Sequence, residues 1–156
     1  MVARATWIRL VTYVGGLTLL LLIAQYFLGL WTNVYAPAQF ASFDSGAGYS
    51  PSLDAHILNG DVLFLLALIV LVFAAVSKRI RLIVPAVVLV IAVFVAGELG
   101  MAFVNSTPND PIDSFGMGTM FLVALFSAAA LMMLSANARR VADPTRATVA
   151  PQFQPG

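Results

Sequence analysis

The sequence predicts an all-α fold: an integral membrane four-helix bundle with both termini in the cytoplasm. The first observation is composition, since the 156-residue chain is 61% hydrophobic and 10% charged, with a mean hydropathy of +0.96. Soluble domains are about 45–50% apolar and about 25% charged. The second observation is that all eight Lys and Arg residues fall on one side of four long apolar stretches.

The four apolar stretches are the predicted membrane spans, at residues 10–31, 57–76, 83–104 and 114–135. Each has about 20 residues or slightly more, enough for a helix to cross a hydrocarbon core about 30 Å thick. Backbone groups inside lipid need internal partners, which favours helices. The sequence therefore predicts one membrane domain over residues 1–135, with an outer loop at 32–55, followed by a flexible cytoplasmic tail at 136–156.

The distribution of charge predicts the orientation of these spans. The loops on one side contain no basic residue and carry Asp44, Asp54, Asp110 and Asp113. All the basic residues lie on the other side: Arg4, Arg9, Lys78, Arg79, Arg81, Arg139, Arg140 and Arg146. By the positive-inside rule, that side is cytoplasmic. We expect a multi-pass protein of the cell (plasma) membrane, with the lipid bilayer and other membrane subunits as partners and no nucleic acid.

The residues that are missing exclude several kinds of site. The chain has no cysteine, which excludes disulfides, thiolate metal sites and covalently attached haem. With one histidine in the sequence, a metal site rich in imidazole is not expected.

Two carboxyl groups are predicted to lie inside the membrane at one depth. Asp61 in the second span and Glu98 in the third are equally far, in residues, from the turn between them. At about 1.5 Å per residue, they occupy nearly the same level, close to the outer boundary. Gln25 on the first span lies at this level, and so does Thr119 or Met120 on the fourth.

Ionisable residues within spans usually face a bundle interior or a water-filled cavity and are candidates for function. No Lys or Arg lies on the outer half, so two adjacent carboxyl groups would not both stay ionised. His56, one turn from Asp61, is the one nearby group that could carry positive charge. The candidate ligand- or proton-binding residues are Glu98, Asp61, His56 and Gln25. The alternative is structural, with Glu98 hydrogen-bonded to Gln25 or to a backbone carbonyl.

The third span also carries a stripe of small residues, Ala92, Ala96 and Gly100. Small residues at this spacing allow close helix packing. Glu98 is about 200° around the helix from Gly100, nearly opposite the stripe. Either the stripe or Glu98 therefore faces away from the bundle core, and we expect the protein to work with a partner or as a homo-oligomer.

No cofactor is required by the sequence, with haem b or a quinone as alternatives. Neutral imidazole is a common haem ligand, and His56 is the one candidate for that role. Met101, Met117 and Met120 lie near the same level and could supply a sulfur ligand. Methionines in spans are otherwise packing residues.

Short segments at the outer ends of the spans carry a resemblance: "GLWTNVYAP", "AHILNG", "AGELGMAFVN" and "DSFGMGTMF". Together they resemble a group of small, conserved four-span membrane proteins of actinobacterial type that has no assigned activity. The matching positions are Trp31, Asn33, Tyr35, His56, Gly60, Gly100, Phe103, Asp113, Ser114 and Met117. The resemblance implies the four-span architecture. More loosely, the chain is similar in architecture to one half of haem A synthase, which uses a histidine pair that this chain lacks.

The leading functional hypothesis is a non-enzymatic integral membrane subunit or accessory protein of a larger assembly, or a homo-oligomer. The alternative is a redox protein that binds haem, a quinone or a proton in a pocket near the outer leaflet. A third hypothesis is an oligomeric proton or cation pathway through the acidic layer. A transporter acting as one copy is not favoured, since the sequence shows no inverted repeat.

Overall fold

The computed structural model describes residues 2–35, 51–105 and 111–142. They form four helices, α1 (Val2–Tyr35), α2 (Pro51–Val76), α3 (Ile80–Asn105) and α4 (Pro111–Ala142). Each helix contains a stretch long and apolar enough to cross a membrane. The predicted all-helical class with four candidate spans is confirmed.

The helices extend beyond the predicted spans. Residues 32–35 and 51–55 of the predicted outer loop are helical, as are residues 136–142 of the predicted tail. A helix does not have to end where the hydrocarbon ends, and the last turn of α4 contains Arg139 and Arg140, whose positive charge favours a helix C-terminus. The remainder of the predicted loop, residues 36–50, and of the tail, residues 143–156, lies outside the described residues.

The helices form a ring in which each one packs against two neighbours. α1 contacts α2 and α4, α3 contacts the same two helices, and the diagonal pairs barely touch. The α2–α3 connection is a tight turn in which Lys78 has a positive φ of 54°, an uncommon conformation for a residue other than glycine. We call the half of the bundle that contains this turn, the N-terminus of α1 and the C-terminus of α4 the proximal half. The opposite half is the distal half.

The packed core fills the proximal half. Its buried residues include many alanines, which let the helix backbones approach closely: Ala67, Ala74, Ala86, Ala92, Ala124 and Ala128. Larger apolar side chains such as Leu82, Leu89 and Leu131 fill the remaining space. A hydrogen bond of 2.9 Å from Thr12 Oγ1 to Ser135 Oγ links α1 to α4 in this half. The space between the four helices of the proximal half is therefore filled by side chains.

Candidate ligand cavity

A cavity of about 800 Å³ lies in the distal half between all four helices. At the end nearest the proximal half, the cavity is bounded by the core. The buried side chains that line it there are Leu22, Leu63, Val93 and Ala124. Binding sites for small molecules have volumes of about 300–1,000 Å³ and mostly apolar walls. The size and lining of this cavity match such a site.

Two pairs of aromatic rings bridge neighbouring helices at the cavity walls. Phe64 of α2 and Phe94 of α3 have ring centroids 5.9 Å apart. Tyr26 of α1 and Phe121 of α4 have centroids 5.9 Å apart. All four rings line the cavity, so each pair connects two helices beside the empty space.

The cavity reaches the surface of the bundle. Several of the side chains that line it are also exposed, among them Phe94 at 51% and Phe115 at 78%. In a membrane, these openings would face lipid or a neighbouring protein. An amphipathic molecule could enter from the bilayer without crossing water.

A hydrogen-bonded polar cluster of Gln25, His56 and Asn59 joins α1 to α2 at the cavity. The Gln25 amide nitrogen donates to the His56 backbone carbonyl at 3.1 Å and lies 3.2 Å from His56 Nε2. Asn59 Nδ2 donates to Gln25 Oε1 at 2.7 Å and to the Leu21 carbonyl at 3.1 Å. Gln25 and His56 line the cavity.

This cluster determines the tautomer of His56. The Gln25 amide nitrogen can only donate, and its contact with the His56 carbonyl fixes which end of the amide faces the ring. His56 Nε2 therefore accepts a hydrogen bond, and the proton of the neutral imidazole lies on Nδ1. His56 Nδ1 is buried and has no hydrogen-bond partner among the described residues.

Gly29 provides the space that the imidazole occupies. A Cβ atom built on Gly29 would lie 3.0 Å from His56 Cε1 and 3.5 Å from Nδ1. Gly60 also lies next to this cluster, since a Cβ atom built on it would be 3.6 Å from Gln25 Nε2. The glycines thus let the polar side chains lie close to the facing backbones.

The two carboxyl groups lie at the margin of the cavity. Asp61 and Glu98 both line it and both are exposed. Among the described residues, neither carboxyl group has a hydrogen-bond or ion-pair partner. The structure therefore brings four of the predicted residues, Gln25, His56, Asp61 and Glu98, to one cavity.

The small-residue stripe faces the bundle. Ala92 is buried, and a Cβ atom on Gly100 would lie 3.4 Å from Met117 Sδ of α4. Glu98 is consequently on the other side of α3, on the exposed face that also carries Val84 and Ile91. Of the two arrangements that the sequence allowed, the structure shows the one in which the carboxylate turns away from the core.

Two of the three methionines that were candidate haem ligands lie at the cavity. Met101 and Met117 line the cavity, whereas Met120 is not among the described residues that line it. Coordination of a haem iron by His56 Nε2 would require the Gln25 amide to move from its position at 3.2 Å.

Sequence reasoning did not identify Asn59, Gly29 or the aromatic pairs. Asn59 is three residues after His56, and Gly29 is four residues after Gln25. Residues at these spacings lie on one helix face, so periodicity alone could have grouped them. No family model, curated protein or solved structure is significantly similar to the chain. The resemblance to small four-span actinobacterial proteins thus stays a prediction.

Replacing Gly29 by alanine tests the fit of His56. The methyl group would crowd the imidazole, so we expect Gly29→Ala to lower the free energy of unfolding in detergent by about 1–3 kcal/mol. Gly15→Ala is the matched control, because no atom lies within 4 Å of a Cβ at Gly15, and alanine is the better helix former. The chain has one histidine, so its imidazole NMR signals can be assigned directly. Unchanged signals and stability in Gly29→Ala would contradict the contact.

Proposed function

We propose that this membrane protein binds an amphipathic small molecule in the distal cavity and that a quinone fits this site best. The observation that supports the proposal is a largely apolar cavity of about 800 Å³ between all four candidate spans. The role we propose is binding, not catalysis.

The chemistry of the lining supports a quinone-type ligand. Aromatic rings such as Phe64, Phe94 and Phe121 offer apolar faces for a quinone ring or an isoprenoid chain. The carboxyl groups of Asp61 and Glu98 accept hydrogen bonds when ionised and donate one when protonated. Such groups suit a ligand whose oxygens alternate between carbonyl and hydroxyl forms.

We also propose that the distal half faces the outside of the plasma membrane. Among the described residues, the basic side chains Arg9, Lys78, Arg79, Arg81, Arg139 and Arg140 all belong to the proximal half. Positive charge near the ends of spans marks the cytoplasmic side. This orientation puts the cavity in the outer leaflet and both termini in the cytoplasm.

Filling the cavity tests the ligand proposal. Gly118 lines the cavity, and no atom lies within 4 Å of a Cβ at this position, so Gly118→Leu should fold while occupying ligand space. We expect a short-chain quinone to stabilise the wild-type protein, by about 2.7 kcal/mol at 100 times its Kd, and to leave Gly118→Leu unaffected in thermal unfolding.

The matched control for this test is Ala75→Leu, on the exposed face of α2 away from the cavity. It should respond to the quinone as the wild type does. If Gly118→Leu and Ala75→Leu respond equally, or if the wild type gains no stability, the quinone proposal fails. Mass spectrometry of lipid extracts then shows whether another amphipathic molecule copurifies.

The orientation is tested by cysteine labelling, since the chain has no cysteine of its own. We expect Asp54→Cys, at the distal end of α2, to react with a membrane-impermeant maleimide in intact cells. Arg140→Cys, at the proximal end of α4, should react only after the cells are permeabilised. Both positions are exposed. The reverse pattern of labelling would refute the proposed orientation.

A second candidate function is that of a subunit in a membrane assembly or a homo-oligomer. The observation that favours it is Glu98, a carboxyl group on an otherwise apolar exposed face of α3 with no partner among the described residues. Charged side chains within spans rarely face lipid, and the cost near the bilayer centre is about 2.5–3.5 kcal/mol on insertion scales. A neighbouring protein on this face would shield it.

Light scattering in mild detergent tests the assembly. We expect a mass of more than one copy, or a copurifying partner, and we expect Ile91→Trp to reduce that mass because Ile91 shares the exposed face of Glu98. Leu20→Trp is the control, since Leu20 is 62% exposed on α1. A wild-type monomer without partners would rule out this candidate.

A further inference from the structure

A shallow apolar groove runs along the outside of the proximal half, between α3 and α4. Its α3 wall contains Arg81, Pro85 and Val88, and its α4 wall contains Phe126, Ala130 and Leu134. The groove has a volume of about 620 Å³ and is distinct from the distal cavity, since no residue lines both.

Along its α4 wall, the groove is about as long as one leaflet is thick. On α4 its lining extends from Val123 to Leu134, which corresponds to about 16 Å at 1.5 Å per residue. Half of a hydrocarbon core about 30 Å thick is about 15 Å. An acyl chain of one leaflet would therefore lie along the groove for most of its length.

Arg81 gives the groove one charged end. The only charged residue in its lining is Arg81, which lies in the first turn of α3 and is exposed. Among the described residues, its guanidinium group has no hydrogen-bond or ion-pair partner. Guanidinium groups bind phosphate oxygens in a bidentate manner.

We propose that this groove is a binding site for an anionic phospholipid, with one acyl chain between α3 and α4 and the phosphate at Arg81. The positive charge of Arg81 at the end of the groove is complementary to an anionic headgroup. Basic sites between membrane helices on the cytoplasmic side bind anionic lipid headgroups in this manner. A lipid bound in this groove would not occupy the distal cavity.

Native mass spectrometry of the full-length protein released from detergent micelles tests the site, with phosphatidylglycerol and phosphatidylcholine as the two probes. Both lipids carry a phosphate, but the choline cation of phosphatidylcholine opposes its attraction to Arg81. We expect wild-type protein to retain phosphatidylglycerol about fivefold more strongly than phosphatidylcholine, since one basic side chain near an anionic lipid surface contributes about 1 kcal/mol. Arg81→Gln should lose this preference. Arg79→Gln is the matched control, because Arg79 is a neighbouring basic residue outside the groove lining, and it should keep the preference.

Ala130→Trp provides an independent test, since its indole would fill the groove and reduce the retention of both lipids. If this variant does not fold, Arg81→Gln still decides the matter. Inorganic phosphate should not displace the lipid from wild-type protein, because the acyl chain supplies part of the binding. Equal losses in Arg79→Gln and Arg81→Gln, no preference in the wild type, or displacement by phosphate would each overturn the site.

Discussion

The close packing of small side chains in the proximal half is the constraint on which the rest of the structure depends. Lipid tails are as apolar as leucine, so burial of apolar surface does not drive membrane helices together, and close van der Waals packing matters more. Fully buried alanines such as Ala67, Ala86 and Ala128 pack α2, α3 and α4 there, and α1 contributes the fully buried Val11. Because the ring is closed at this end, its distal half is held in a fixed relation without needing a packed core of its own.

Because the distal half does not need a packed core, it can contain a cavity. Its helices are joined by side chains at the walls, Phe64 with Phe94 and Tyr26 with Phe121, and by the Gln25–His56–Asn59 cluster between α1 and α2. Gly97 and Gly118 line the cavity with no atom within 4 Å of a Cβ position. Larger residues at these two sites would fill the cavity, so the cavity depends on glycine at both positions as well as on the side chains of its walls.

The number of helices and their approximate extent could be predicted from the sequence because they depend on local composition. The apolar stretches were long enough to identify each span, and helix periodicity correctly placed Glu98 opposite the small-residue stripe of α3. The choice between the two faces could not be predicted, because it depends on which neighbour α3 packs against. That neighbour is α4, where Met117 lies against Gly100.

The candidate site was predictable only in part, for the same reason. Counting residues from the α2–α3 turn indicated that Asp61 and Glu98 share a level, and both line one cavity. The contact of Asn59 with Gln25 joins two helices that are separated in the sequence by residues 36–50, so no count along the chain fixes their register. The cavity itself arises from the spacing of all four helices and has no signature in any one of them.

The two halves differ most clearly in whether their polar side chains have hydrogen-bond partners. In the proximal half, the buried hydroxyl groups of Thr18, Ser127 and Ser135 donate to carbonyls of their own helices, and the hydroxyl group of Thr12 donates to Ser135 Oγ. In the distal half, His56 Nδ1 and the carboxyl groups of Asp61 and Glu98 have no partner among the described residues. Polar groups without hydrogen-bond partners are costly inside a membrane. The buried hydroxyl groups of the proximal half all have such partners, so the bundle can provide them. Their concentration around one cavity is therefore better explained by a molecule that binds there, or by a neighbouring subunit, than by the stability of the bundle alone.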